Sequence, residues 1–300
     1  MRKVSLILGL LLAFAARADG RDIFVDNAIG DDLLDGSVPM AITDRAGPTR
    51  TLAKALRLAQ NGDAIVLAKT GRHYRESISL VGGDHGGNIV NEFIILGNGA
   101  TLDGSFPAPP DAWEHYSGDV YRMQPERMAF AQLFIDDKPA IRRELPSDRL
   151  RADQLGVREW DLHGGHLYFR TSPNRSIYGY NLSYTGRPVG ITLYKVRRVL
   201  IADLVIQGFQ LDGVNAHDGA VDCTLERLVC RGNGRSGVAV GGSSQVVLRD
   251  CSLRYNGVSQ LWTEGRSLTQ LINCDLSETT APAIHSTGGD VLGADNTGVE

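Results

Sequence analysis

Several residue classes are scarce in this sequence of 300 residues, and each scarcity excludes a class of protein. Methionine and cysteine occur four times each, and aromatic residues make up 7% of the chain, which disfavours a helical bundle. The 31 basic residues do not exceed the 35 acidic ones, so the basic surface that a nucleic-acid-binding protein needs is missing. After residue 18, no apolar run is long enough to span a bilayer.

The first eighteen residues have the pattern of a secretory signal peptide. Arg2 and Lys3 precede the apolar run VSLILGLLLAF, and Ala16-Arg17-Ala18 has the small-x-small form of a cleavage site. A membrane anchor is the alternative, but this run is too short to span a bilayer. We therefore expect an exported protein, periplasmic or extracellular, without membrane attachment. Removal of residues 1–18 deletes three basic residues and no acidic one, so the net charge changes from −4 to −7.

Glycine, in contrast, is abundant at 35 residues, and the last hundred residues repeat in steps of 24, 23 and 23. Columns of apolar residues arise when each coil of chain lies on the previous one and buries its apolar side there. Four such columns align, namely Ile201, Leu225, Leu248 and Leu271; Leu204, Leu228, Cys251 and Cys274; Ile206, Cys230, Leu253 and Leu276; and Val214, Val238, Leu261 and Ile284.

Two repeat architectures compete for this pattern. The segments LERLVCRGN and LRDCSLRYN nearly satisfy the leucine-rich repeat, whose second half is usually helical. Here the second half is GRSGVAVGGSSQVV, which has no helical periodicity and contains a further short strand. The sequence therefore favours an all-β fold, a parallel β-helix with two or three strands in each coil. The pairs Asn233-Gly234 and Asn256-Gly257 are expected at its bends, since both residue types tolerate positive φ, and stacked Asn side chains are expected to bond along the axis.

The remaining chain divides into segments of different pattern. Residues 19–105 are predicted to form an N-terminal cap and the first coils, with Leu52, Ala55, Leu56 and Ala59 on one face of a capping helix. In residues 106–184 the repeat stops, and alternating patterns predict a small antiparallel insertion with a hairpin turn at Asp136-Asp137. Residues 185–300 carry the repeats, which end without a recognisable cap, so we expect that C-terminal coils are missing.

These segments resemble the right-handed parallel β-helix proteins of the pectate-lyase-like superfamily. The resemblance rests on GPTRTLAKALRLAQNGDAIVLAKTGRHYRESISL, which is similar to their N-terminal cap, and on DVYRM and LFIDDKPAIRRELP, which are similar to inserts in β-helix glycoside hydrolases. It implies an enzyme that acts on a polysaccharide or oligosaccharide, either a hydrolase or a lyase. It picks out no catalytic motif.

The outward columns beside Val214 change from coil to coil, which is how a repeat carries a site on a regular frame. The first contains Asn215, Ala239, Trp262 and His285, the second His217, Gly241, Glu264 and Thr287, and the adjoining turn Asp218, Gly242, Gly265 and Gly288. A bare notch at Gly241 and Gly242 is therefore expected, with His217 and Asp218 on one side and Glu264 on the other.

Asp218 and Glu264 are the candidate catalytic pair. At the strand spacing of ~4.8 Å, two coils separate them by ~9–10 Å, near the ~6.5–9.5 Å of an inverting glycosidase pair. One carboxyl would protonate the leaving oxygen and the other would activate water. Trp262 would offer a flat face to a sugar ring beside Asn215, and His217 and His285 are further catalytic candidates. Either carboxylate alone is typical of solvated surface, so the prediction depends on the cluster and on Trp262 above all.

Two other functions remain open at this stage. A lyase would use Arg266 as its basic residue, and only this alternative implies calcium, with Asp218 as a ligand; otherwise no cofactor or metal site is predicted. A non-catalytic carbohydrate-binding or adhesion solenoid is the third interpretation. The acidic net charge favours hydrolysis, because it would repel the polyanionic substrate of a lyase.

The cysteines and one charged column are given structural roles. Four cysteines in an exported chain raise the alternative of disulfides. Cys251 and Cys274 share an inward column, however, and their parallel Cβ atoms ~4.8 Å apart are too distant for a bond, so buried, reduced thiols are expected. The column Asp203, Arg227, Asp250 and Asn273 is expected to form a ladder of surface pairs.

Overall fold

The structure, a computed structural model, describes residues 20–126, 130–144, 154–277, 279–294 and 296–298. The expected signal peptide and its cleavage site lie outside the described residues. Within the described part of the chain, no helix is long and apolar enough to cross a membrane.

Strands dominate the fold, and one α-helix, α1 (Leu52–Leu58), lies near the N-terminus. The strands before the insertion are β1 (Asp22–Val25), β2 (Ala64–Leu67), β3 (Ile78–Val81) and β4 (Phe93–Asp103). Those of the insertion are β5 (Phe106–Pro107), β6 (Glu114–Ser117), β7 (Val120–Met123), β8 (Leu133–Ile135), β9 (Lys138–Pro139), β10 (Trp160–His163), β11 (His166–Arg170) and β12 (Leu182–Tyr184). Those of the repeats are β13 (Ile191–Tyr194), β14 (Arg197–Gln207), β15 (Asp212–His217), β16 (Val221–Glu226), β17 (Val229–Arg231), β18 (Ser236–Val240), β19 (Gln245–Arg249), β20 (Ser252–Arg254), β21 (Ser259–Ile272) and β22 (Ile284–Ala294).

Each coil of the repeat region has three parallel strands, so the strands form three sheets around one core. The first sheet contains β16 and β19 with the N-terminal half of β14 and the C-terminal half of β21. The second contains β17 and β20 with the C-terminal halves of β4 and β14. The third contains β3, β13, β15 and β18 with the N-terminal halves of β21 and β22. The parallel β-helix is confirmed, and the leucine-rich alternative is wrong because a strand replaces the helix of each repeat.

The inward columns pair in the expected register. Leu225 lies between Ile201 and Leu248, and these residues are fully buried. Val238 pairs with Val214 on one side and Leu261 on the other, and all three residues are fully buried. Every coil therefore covers the apolar side of its neighbour, which is the source of stability in a repeat fold.

The corners between the first and second sheets bear the charged ladder. Asp203, Arg227, Asp250 and Asn273 all have φ between 50° and 56°, and Arg227 Nε donates to Asp203 Oδ1 at 2.7 Å. Asn273 Nδ2 donates to Asp250 Oδ1 at 2.6 Å. These exposed contacts link neighbouring coils as expected, each contributing ~0–1 kcal/mol.

The Asn-Gly pairs meet one of the two expectations for them. Neither Asn233 nor Asn256 has positive φ; the positive φ falls one residue earlier, at Gly232 and Tyr255. Both Asn side chains are buried and bond along the axis as expected, with Asn233 Nδ2 donating to Asn256 Oδ1 at 3.1 Å. Glycine follows because of close packing: a Cβ on Gly234 would lie 2.3 Å from the carbonyl oxygens of Gln210 and Phe130.

Helix α1 covers the open end of the first coil. Thr51 caps it by accepting a hydrogen bond from the Lys54 N–H at 3.1 Å, and Glu76 accepts from the N–H groups of Leu52 and Ala53. Leu52, Ala55 and Leu56 bury the apolar face that the sequence predicts.

The insertion has its own core and two small antiparallel sheets, with the strand orders β10-β11-β7-β6 and β5-β12-β8-β9. It leaves and rejoins the β-helix between the second and third sheets. A Cβ on Gly232 would lie 2.6 Å from Phe134 Cζ, and one on Gly257 would lie 2.5 Å from Gln132 Nε2. The insertion therefore packs along this corner over several coils and stands beside both sheets.

Candidate functional site

The third sheet brings the predicted site residues together in register. Asn215 pairs with Ala239, Ala239 with Trp262, and Trp262 with His285. In the second outward column, Glu264 pairs with Thr287. The same sheet adds Tyr194, a residue that the alignment of the repeats did not include. It pairs with His217 on the following coil.

Glu264 is exposed, and its side chain leans over Gly241 on the neighbouring coil. A Cβ on Gly241 would lie 2.8 Å from Glu264 Oε1 and 2.9 Å from its Cγ. A Cβ on Gly242 would lie 3.2 Å from Asp218 Oδ1. The two carboxylates thus approach the same pair of glycines from opposite coils, and Glu264 fills part of the notch.

His217 and Asp218 form a pair at the edge of the notch. His217 Nδ1 lies 3.1 Å from Asp218 Oδ2, and the His217 ring lies 5.1 Å from the ring of Tyr194. Asp218 has a φ of 55°, and the turn glycines Gly242 and Gly265 at the equivalent positions of the next two coils also have positive φ. The left-handed corner turns the Asp218 side chain towards its neighbouring histidine.

Trp262 contacts protein groups from the coils on either side of its own. The His285 ring stacks on it at 4.0 Å between centroids, and the Arg235 guanidinium lies 5.1 Å from its centroid. Its Nε1–H donates to Glu264 Oε2 at 3.2 Å. Trp262 is therefore half-buried, with less of its flat surface open than the sequence implied, and it orients Glu264.

A buried ion pair lies beneath this face. Asp212 is fully buried and accepts hydrogen bonds from Arg235 Nε at 3.0 Å, Ser236 Oγ at 2.7 Å and Asn215 Nδ2 at 2.8 Å. The hydrogen bond to Asp212 raises the pKa of Arg235 above its ordinary value. This contact fixes the amide of Asn215 and the guanidinium beside Trp262. This pair was not predicted from the sequence, although Asp212 and Arg235 lie 23 residues apart, which is the spacing of the repeat.

Arg266 is exposed at the corner that follows Gly265. Its backbone N–H donates to the Gly242 carbonyl at 2.7 Å, and no ion pair of its guanidinium occurs among the described residues. Calcium needs six to eight oxygen ligands. Around Asp218, the described residues gather no group of three metal-ligating side chains.

A second polar cluster, which the sequence did not predict, lies where the second sheet meets the insertion. His73 Nδ1 lies 2.7 Å from Asp103 Oδ2, and one carboxylate oxygen of Asp137 lies within 4.8 Å of both ligand atoms. The hydrogen bond to Asp103 raises the pKa of His73. The only signal was the hairpin at Asp136-Asp137; the first coils lack the 23-residue spacing that would have aligned His73 with Asp103.

Comparisons with known proteins agree with the fold. Residues 171–297 match a family model described as "Right handed beta helix region". The fold is a right-handed parallel β-helix. No curated protein sequence gives a significant match.

Solved structures share the β-helix at low sequence identity. A structure described as "Glycoside hydrolase" has a TM-score of 0.62 and 12% identity, covering 92% of this chain and 80% of that one. A complex of XylC with xylose has a TM-score of 0.44 and 11% identity, covering 91% and 70%. The pectate lyase Pel9A has a TM-score of 0.45 and 9% identity, covering 88% and 55%. At these identities the likeness concerns the fold of the β-helix alone.

Proposed function

We propose that this chain is a carbohydrate-active enzyme that hydrolyses glycosidic bonds on the third sheet of its β-helix. The observation that carries the proposal is the approach of Glu264 and Asp218 to Gly241 and Gly242 from opposite coils. The strands that carry them lie two coils, ~9–10 Å, apart, and the approach of both side chains to the same glycines supports a separation near the ~6.5–9.5 Å that accommodates a water molecule in inverting hydrolysis. The glycoside hydrolase that shares the fold supports the same class of substrate.

The contacts of the two carboxyl groups favour different roles. The indole N–H of Trp262 donates to Glu264 Oε2 and fixes the direction of this carboxylate, which suits a general base that activates water. Glu264 takes a proton from the attacking water while Asp218 protonates the leaving oxygen; His217, in contact with Asp218, then passes a proton from solvent back to it. Asn215 and the exposed edge of Trp262 contact the sugar. The N-terminal pattern supports export to the periplasm or the extracellular space, where polysaccharides are met.

The test is to incubate the purified mature chain with neutral and uronate polysaccharides and to follow new reducing ends together with the ultraviolet absorbance of unsaturated uronic acids. Hydrolysis gives reducing ends without absorbance. Elimination gives both signals and makes the unpaired Arg266 the candidate base. Binding without either product would identify a binding module and contradict the proposal.

Substitutions then assign the site. Glu264→Gln and Asp218→Asn are each expected to lower kcat by ~10²-fold or more, the scale of general acid–base catalysis. Asp222→Asn is the matched control for Asp218→Asn, because Asp222 is exposed, also has positive φ, and lies on the first sheet. Full activity in Glu264→Gln would remove this site from consideration.

A further inference from the structure

The cluster at the insertion is assembled from three distant segments. Tyr74 pairs with Leu102 on the next coil of the second sheet, and this bridge brings His73 next to Asp103. Asp137 comes from the hairpin turn between β8 and β9. The Gln207 side chain donates to the Asp137 carbonyl at 3.5 Å, so the hairpin tip is anchored on the β-helix.

The three side chains present ligand atoms to one another. One atom each of His73, Asp103 and Asp137 lies within 4.8 Å of the other two. Asp103 is fully buried, and its Oδ1 accepts the Ser105 N–H at 2.7 Å. Its other oxygen, Oδ2, lies 2.7 Å from His73 Nδ1 and accepts a hydrogen bond from Gln207 Nε2 at 3.4 Å. One nitrogen and two carboxylate groups, held by separate elements, therefore converge on a single position.

The charges at this position call for a cation. The carboxylates of Asp103 and Asp137 approach each other, and in the described residues the Asp137 carboxylate has neither an ion pair nor a hydrogen bond. Arg75 lies beside the cluster, with its Nη2 3.8 Å from Asp103 Oδ2 and its Nη1 donating to the Ser105 carbonyl at 3.0 Å. Arg75 therefore pairs with the buried Asp103, and among the described residues it forms no ion pair with Asp137.

The donor types select the kind of cation. An imidazole nitrogen with two carboxylates suits Zn²⁺ and similar first-row metals, whereas calcium takes oxygen ligands. Three protein ligands leave a coordination position free for water or a substrate, as in catalytic zinc sites. Asp137 also lines a cavity of about 490 Å³ together with Asn181 and Arg187.

We propose that His73, Asp103 and Asp137 bind a divalent transition-metal ion at the junction of the insertion and the second sheet. This site is separate from the carboxylate pair of the third sheet and does not depend on the proposed hydrolysis. The metal takes the place of the contact between His73 Nδ1 and Asp103 Oδ2, and it ties the hairpin tip to the β-helix.

The experiment titrates chelator-treated protein, prepared without a histidine tag, with Zn²⁺ alone and follows binding by calorimetry. One Zn²⁺ per chain is expected for the unchanged protein. Asp137→Asn, which removes a ligand but keeps a residue tolerant of positive φ, is expected to weaken binding by ~10²-fold, at least the effect of losing a supporting contact. Asp136→Asn is the matched control, since Asp136 precedes it in the same turn with a φ of 52°.

A second measurement guards against misfolding of a variant. Zn²⁺ is expected to raise the thermal midpoint of the unchanged protein and of Asp136→Asn, but not that of Asp137→Asn or His73→Gln. Midpoints measured with chelator show whether each variant is folded. Absence of Zn²⁺ uptake by the unchanged protein, or equal affinity in Asp137→Asn, would overturn the proposal.

Discussion

Trp262 and His285 stack across adjacent coils, with ring centroids 4.0 Å apart and an interplanar angle of 27°. Their pairing in register is what makes the stack possible, because side chains in one outward column of a parallel sheet lie one strand spacing apart. The stack holds the indole so that its N–H reaches Glu264 on the same strand. An aromatic contact between coils thereby orients a carboxylate.

Trp262→Phe tests this orientation. Phenylalanine retains an aromatic ring next to His285 but has no N–H for Glu264. Loss of a hydrogen bond to a charged group is expected to lower kcat by about tenfold, with little change in the thermal midpoint. The measurement is steady-state kinetics on the polysaccharide that the chain cleaves. Unchanged kcat would show that Glu264 does not need this contact.

Gly241→Ala tests the position of Glu264 from the opposite coil. The new Cβ would lie 2.8 Å from Glu264 Oε1, so the flexible end of that side chain must move away from the notch. Because the backbone can stay in place, we expect activity to fall while the free energy of unfolding changes by less than about 1 kcal/mol. Ser243→Ala, at an exposed position nearby, is the control and is expected to retain activity. Activity equal to that of the unchanged protein would mean that the lean of Glu264 is unimportant.

Asn233→Ala tests the buried ladder that replaces the predicted turn role. Asn233 accepts the Phe209 N–H at 3.2 Å and donates to the Ile206 carbonyl at 3.3 Å. Removing the amide leaves these groups buried without partners, so we expect a loss of about 3 kcal/mol in the free energy of unfolding. Urea denaturation measures this free energy of unfolding. Gln270→Ala, an exposed amide on β21, is expected to change it by less than about 0.5 kcal/mol; equal effects would contradict the ladder.

The cysteines predict a chemical result. All four are buried and free, and burial raises the pKa of the Cys223 and Cys230 thiols to about 12. Thiolate is the reactive form, and the hydrogen bond with Cys251 lowers the pKa of Cys274. Cys274 is nevertheless only 2% exposed, so burial keeps the reagent away and Ellman's reagent at pH 8 should modify none of the four in the folded protein. Four thiols should react in denaturant without reductant. A count below four would reveal a disulfide bond.

Much of the β-helix follows directly from the sequence. The repeat spacing of about 23 residues predicts which residues of neighbouring coils lie above one another, because each coil contacts only the adjacent coils. This spacing alone aligns Val214, Val238 and Leu261 as buried residues and places Trp262 beside His285 on the outward side, and the strand register agrees. The repeat determines the pairs but not the side-chain directions, so neither the lean of Glu264 nor the contacts on Trp262 follows from it.

The tertiary structure alone decided the contacts that join segments without a common spacing. Asp137 reaches the β-helix across 70 residues from Gln207, through an insertion whose packing depends on its own core. His73 and Asp103 lie 30 residues apart on the irregular first coils, where no 23-residue spacing aligns them. Position 234 requires glycine because the carbonyl oxygens of Phe130 and Gln210 leave no room for a Cβ, and the tertiary structure alone brings these groups together. The repeat spacing in the sequence predicts how similar coils stack, whereas contacts between dissimilar segments depend on shape and burial throughout the folded chain.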